Sequence, residues 1–343
     1  MLRALFLVPL SFMVLWAVLA LAIDGPVIVA EQVLPAIYVL LLVAVAIWVR
    51  PFSRACLAVL ASVVVVLGWW LLLSPENDRA WQADVARVPD ATLNGSMLTV
   101  RNVRSFGYPA TSEKNEADAA GLVEERWVTR TYDLDELVGL DVFVSYWGPT
   151  AYGHTMASWE FADGRNLLVS IETRKEVGEE YSALGGFFRR FELYYVVADE
   201  SDAVAVRAAQ RGERVELYRL ATPEQGDRKM LLEYVADINA LAAEPRWDHA
   251  LNHNCTTTMW RHARTAGSRF PLDWRLLANG YLLELAHELG VVNNRLSLEA
   301  LQKLSDITER VRDAAASGLR GGDFARAVRV GLPERAVERE GTR

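Results

Sequence analysis

Cys255 stands in "LNHNCTTTMW", residues 251–260, and the only other cysteine in the chain is Cys56. A thiol attacks carbon as thiolate. A helix N-terminus favours that form, because its unpaired N–H groups and its dipole attract negative charge. The segment fits such a start. Asn252 and Asn254 suit the preceding turn, Cys255 falls in the first helical turn, and "TTTMWRHAR" carries the helix to about Thr265. Backbone N–H groups there, with Thr256 beside the thiol, would also face a developing oxyanion. Two other readings stay open at this point. A free cysteine is often a small buried hydrophobe. Cys255 with His249, His253 and His262 also offers zinc-ligand types, although no C-x-x-C or H-E-x-x-H spacing accompanies them. No metal or other cofactor is expected.

A cysteine nucleophile needs a base that is distant in sequence and near in space. His154 follows the turn-rich "WGPTAYG" and opens a strand, which makes it the leading candidate; the alternative is a strand-end histidine bonded to backbone. The hairpin after it decides its neighbours. "HTMASWEF" (154–161) and "NLLVSIETR" (166–174) are joined by "ADGR". A two-residue loop, Asp163-Gly164, and a three-residue loop, Ala162-Asp163-Gly164, differ by one residue in register, which exchanges the two faces. The three-residue register gathers Ala157, Trp159 and Phe161 with Leu167, Val169 and Ile171. It sets His154 opposite Glu172, with Ser158 and Ser170 on the same face. The shorter loop mixes apolar and polar residues, so the longer one is preferred. Glu172 is then the carboxylate expected to orient the His154 ring, unless it pairs with Arg174 or Lys175. Cys255, His154 and Glu172 form the expected catalytic set. Asn254, Asn252, Thr256, Ser158 and Ser170 form its expected substrate or oxyanion neighbourhood.

The elements that must carry these residues divide the chain. Residues 1–75 are almost wholly apolar and contain three runs, Leu2–Ile23, Val33–Val49 and Ala55–Leu73, each close to the roughly 17–25 residues that span a bilayer. A cleaved signal peptide is the alternative for the first run. Arg3, Arg50 and Arg54 all fall where basic residues on the cytoplasmic side would put them, with the N-terminus inside and everything after Ser74 outside. In a bacterium that makes a multi-pass inner-membrane protein with a periplasmic domain. Cys56 and Cys255 then lie across the bilayer from each other and cannot pair. Residues 76–90 read as a linker, 91–335 as the soluble domain and 336–343 as a charged tail. Strands are expected over 96–103, 126–134, 140–148, 154–161, 166–174, 191–200, 203–209 and 214–220, with a polar loop at 110–121. Helical spacing follows at 224–243, 255–265, 279–289 and 297–317. Strands first and helices after indicate an α+β domain on a mostly antiparallel sheet. The formal net charge of −8 disfavours nucleic acid as a partner.

The stretches "NVRSF", "TYDLDEL", "GHTMASWEF", "VSIETRKE", "GFFRRFELYYVVADESD", "NHNCTT" and "GDFARAVRVGLP" resemble, in order over roughly residues 90–335, the Lnb N-terminal periplasmic domain family. The family usually has other residues at Asp248, His249 and His253. It is similar to permuted papain-like thiol enzymes, the NlpC-type peptidases and lecithin:retinol acyltransferase, in which the histidine strand precedes the cysteine helix. The resemblance implies a permuted papain-like domain, following the three apolar runs read as transmembrane helices, with Cys255 as nucleophile and His154 as base. It also implies N-acylation of bacterial lipoproteins at the outer face of the inner membrane, with a phospholipid or the lipoprotein itself as acyl donor. The alternatives are a thiol hydrolase acting on peptidoglycan peptides or lipids, and a non-catalytic membrane-anchored binding protein.

Overall fold

The computed structural model describes residues 2–25, 28–108, 124–249 and 254–335. The expected loop at 110–121, Asn252, His253 and the charged tail lie outside the described residues. The chain begins with three apolar helices, α1 (Leu2–Ile23), α2 (Ile28–Trp48) and α3 (Phe52–Leu72). They pack through small residues such as Ala17 and Ala20 around Tyr38, Val63 and Val66, while Phe12, Leu40, Val65 and Leu72 face outward. Among the described residues only α3 is long and apolar enough to cross a membrane. Leu7–Ile23 and Val33–Trp48 are shorter apolar helices, so the expectation of three spans is met in full by one helix.

Eight strands follow: β1 (Asp90–Asn94), β2 (Met97–Arg104), β3 (Trp127–Asp133), β4 (Leu137–Tyr146), β5 (His154–Phe161), β6 (Asn166–Arg174), β7 (Glu192–Ala198) and β8 (Arg214–Arg219). They form one sheet in the order β1-β2-β7-β6-β5-β4-β8, with β3 also paired to β2. All pairs are antiparallel except a short parallel contact of β2 with β7. The helices cover both faces. On one, α5 (Glu224–Ala243), α6 (Cys255–Thr265), α7 (Leu282–Glu288) and α8 (Leu298–Ser305) bury Trp159, Val169 and Ile171 against Leu231, Tyr234 and Met259. On the other, α4 (Glu200–Ala203), α9 (Thr308–Ala316) and α10 (Gly321–Arg329) pack Val204, Val311 and Phe324 over Met156, Leu168 and Tyr194. An α+β domain is therefore what the chain forms.

The β5–β6 hairpin has the expected register. Pairs run from Met156↔Ser170 to Glu160↔Asn166. Gly164 adopts φ +81°, the left-handed conformation that closes the Ala162-Asp163-Gly164 loop. Four elements differ from expectation. Residues 203–209 are helical, with Ala203, Val204, Ala205 and Ala208 buried and a π-helical turn at Val206–Gln210. Both members of the Ala/Val alternation are apolar, so it never carried the polar–apolar contrast that marks a strand. The acidic Glu200 and Asp202 in the first turn instead favour a helix start. Strand β1 forms through a two-residue Gly95-Ser96 turn, with Gly95 at φ +63° in the left-handed conformation that such a hairpin needs. The 297–317 pattern breaks into α8 and α9, where Ile307 N–H donates to Val215 O at 3.0 Å. The unexpected helix α10 supplies Phe324 and Val328 to the second face.

Candidate active site

Helix α6 begins at Cys255. Asn254 is its N-cap: Oδ1 accepts from Thr256 N–H (3.1 Å) and Thr257 N–H (2.8 Å). Cys255 is half-buried and packs against the larger core. His154 starts β5, paired with Ser145 of β4. One side chain ties these two starts together. Asn279 accepts from Gly153 N–H at 2.7 Å, donates to Gly153 O at 2.5 Å and donates to Thr256 Oγ1 at 2.8 Å. Its Nδ2 also lies 3.9 Å from Cys255 Sγ. The neighbouring glycine permits this approach, since a Cβ on Gly280 would sit 1.7 Å from Thr150 O. The turn before the histidine and the first turn of the cysteine helix are thus held by a single residue.

The His154 ring is anchored from behind. Nε2 lies 2.6 Å from Ser170 Oγ and 3.2 Å from Glu172 Oε1, and Ser170 donates to that same carboxylate oxygen at 2.8 Å. With Nε2 so engaged, Nδ1 is the nitrogen left to serve the thiol, whose charge acts on the ring. Glu172 is held in turn by Arg207 Nη2 at 2.6 Å. Arg207 lies on the π-helical turn, and its other nitrogen is 3.5 Å from Glu213, whose carboxylate also accepts from Ser145. Helical turns of this kind recur at functional sites.

Charge follows geometry. Burial disfavours the protonated ring and Arg207 opposes it too, but Glu172 and Cys255 together outweigh them, and His154 is raised to about 9. Burial would raise the thiol, yet the charge and hydrogen bond of His154, helped by bonds from Thr155, bring Cys255 down to about 6. Glu172 resists burial through His154 and Arg207 and stays well below the usual carboxylate range. Between those two values the site holds a thiolate beside an imidazolium, the arrangement of an activated nucleophile.

The expected residues separate into two groups. Cys255, His154, Glu172 and Ser170 are brought together, and Asn254 caps the helix under the thiol. Ser158 is not at the site: it is fully buried and bonds Glu200 Oε1 at 2.6 Å, drawn there because Glu200 also binds Arg329. Thr256 does not offer its N–H to an oxyanion, since Asn254 takes it, and its hydroxyl is bound by Asn279. Asn252 lies outside the described residues. Of the residues weighed as zinc ligands, His262 is a core histidine 3.2 Å from Tyr195 OH, brought down to about 4 by burial, and His249 sits against Phe187. His253 lies outside the described residues. Asn279, Arg207 and Asp248 were not foreseen. Asp248 is buried, and its burial together with the Cys255 charge pushes it up to about 7. Nothing in "LANGY" or "AVRAAQ" marks Asn279 or Arg207 in advance; only the fold brings them in.

Residues 124–280 match the Lnb N-terminal periplasmic domain family. That span runs from just before β3 to Gly280, so Cys255, His154, Glu172, Arg207 and Asn279 all lie inside the Lnb-like region. The match supports a periplasmic domain. No curated protein and no solved structure matches the chain.

Proposed function

We propose that the chain is a membrane-anchored thiol acyltransferase that N-acylates lipoproteins, with its Lnb-like domain on the periplasmic face. The observation that carries this reading is the relay from Cys255 through His154 to Ser170 and Glu172, built at a capped helix start. The order of histidine strand and cysteine helix supports a permuted papain-like domain. The apolar α1 and α2 beside α3 support three spans, with the N-terminus inside.

The chemistry takes two steps. Cys255 thiolate attacks the carbonyl carbon of an acyl ester, the C–O bond breaks, and the departing alkoxide takes the proton of the His154 imidazolium. The products are a thioester and an alcohol. The neutral ring then accepts a proton from the acceptor amine as its nitrogen attacks the thioester; the C–S bond breaks and thiolate and imidazolium are restored. Glu172 stabilises the imidazolium at both ends of the cycle. A hydrolase would share the first step and use water in the second. The 28% exposure of the Glu172 side chain, which admits solvent near the ring, favours that as the second reading. A non-catalytic binding role gives no reason for the depressed thiol.

Mass spectrometry of lipoprotein N-termini tests the reading, in cells whose other N-acyltransferase is removed. N-acylation that requires Cys255 and is lost in Cys255→Ser supports it. Free N-termini in cells with the unaltered protein oppose it, and altered peptidoglycan peptides in Cys255→Ser would point to the hydrolase.

A further inference from the structure

The segment between β6 and β7 does more than connect strands. Phe188 is buried within the apolar cluster of the three-helix bundle, together with Ala17, Tyr38 and Val63. Arg189 donates through Nη1 to Trp70 O (2.9 Å), Leu71 O (3.1 Å) and Leu73 O (2.8 Å), the last carbonyls of α3. Arg190 donates to Ile23 O at the end of α1 (2.8 Å). Asp24 accepts from both Trp70 Nε1 (2.6 Å) and Arg189 N–H (3.1 Å). These bonds satisfy carbonyls that a helix end leaves unpaired. They fix the depth of the loop at the ends of two apolar helices. In that position Tyr181, Leu184 and Phe187 are 61%, 49% and 48% exposed. Large apolar side chains grouped on a surface mark an interaction site, and aromatic residues collect where a helix bundle meets the membrane–water interface.

The same segment comes near the thiol: burial and, after it, the charges of Asp248 and Cys255 raise Tyr181. Phe187 lies 6.4 Å from the His249 ring, on the chain leading into Cys255. Tyr181 stacks on Phe191 at 6.2 Å, and Trp147, 56% exposed, lies 6.4 Å from His154. We propose that Tyr181, Leu184 and Phe187 are immersed in the outer-leaflet lipid and form a lateral threshold over which a bilayer acyl chain passes to Cys255. This rests on the acyltransferase reading for its substrate and on the bundle contacts for its geometry. The occupant is bilayer lipid: the exposed apolar residues continue from Phe188, a side chain already seated among the apolar helices.

Immersion is tested apart from catalysis. The full chain, with Cys56→Ala and Cys255→Ser, carries a single Leu184→Cys labelled with an environment-sensitive fluorophore, in nanodiscs of phosphatidylethanolamine and phosphatidylglycerol. Val138→Cys, 48% exposed at the start of β4, is the control, about 20 Å along that strand from Ser145, the partner of His154, at the usual rise per strand residue. Doxyl-labelled lipid is expected to quench the Leu184 probe at least twofold and to leave the Val138 probe unchanged. Equal quenching at the two positions overturns the proposal. A second variant, Leu184→Asp with Cys255 intact, is expected to reduce acylation of Cys255 by nanodisc phospholipid at least tenfold relative to acylation by water-soluble p-nitrophenyl acetate. An unchanged ratio overturns the threshold role. Failure of the unaltered protein to take an acyl group from phospholipid would count against the acyltransferase reading, and the quenching result would still decide immersion.

Discussion

Replacing His154 by alanine should separate the charge state of Cys255 from its burial. In the intact site the thiol titrates at about 6 because the imidazolium outweighs the cost of burying a thiolate. Without the ring, burial remains and the thiol returns to about 9, its ordinary value, or higher. At pH 6 the thiolate fraction is then about one half in the intact protein and about one thousandth in the variant, a ratio of roughly 500. A thiolate of lower pKa is less nucleophilic, and three pKa units cost roughly 20-fold in intrinsic rate. The net effect is alkylation by iodoacetamide about 25-fold faster in the intact protein at pH 6, about 5-fold faster at pH 7, and about 10-fold slower at pH 9. The two rate profiles should therefore cross between about pH 7.5 and 8. The assay is the pseudo-first-order alkylation rate of the folded protein, read by intact mass from pH 5 to 10. Parallel profiles with one midpoint near that of an ordinary thiol would refute the account of the ion pair.

Three further outcomes follow from the same geometry. Glu172→Gln keeps the shape but removes the charge that raises His154, so the upper limb of the pH–rate profile for acylation should move down from about 9 and the thiol midpoint, read by alkylation, up from about 6. The sign is fixed by the ring: activity that needs imidazolium is present below the pKa of His154 and is lost as pH rises through it. Asn279→Ala strips the partners from Gly153 N–H and C=O and should destabilise the domain by about 1–3 kcal/mol in urea unfolding. A larger fall in acylation than in stability would show that the latch also positions the two catalytic starts. Arg329→Met leaves the buried Asp141 and Glu200 without their shared cation and should cost about 3–5 kcal/mol by the same measurement, with the thiol midpoint unmoved.

The sequence was most legible where local chemistry and local structure coincide. The asparagine-rich turn before Cys255 reads as a helix start, and the structure builds that start with Asn254 as its cap. The hairpin register could be chosen because one choice sorts Trp159, Phe161, Val169 and Ile171 onto one face, and that choice alone put Glu172 across from His154. Ser170 was placed correctly on the shared face, but its position between ring and carboxylate depends on side-chain reach and not on pattern. Ser158 shared the same face and was misassigned, because a face does not distinguish the open end of a strand from its buried middle. Residues 203–209 were misread because Ala and Val alternate without a change in polarity. Arg207 and Asn279 come from elements remote in sequence and meet the site only through the packing of a helical turn and a tight glycine contact. Such meetings leave no periodic trace.

The central claim is that Cys255 carries the acyl group. Intact-mass spectrometry of the full chain in phospholipid nanodiscs, quenched in acid within seconds to minutes, tests it most directly. The account predicts one acyl mass added to the unaltered protein, located at Cys255, released by neutral hydroxylamine as a thioester and slowed by His154→Ala. An adduct elsewhere, or no adduct while lipoprotein N-acylation proceeds, would contradict it.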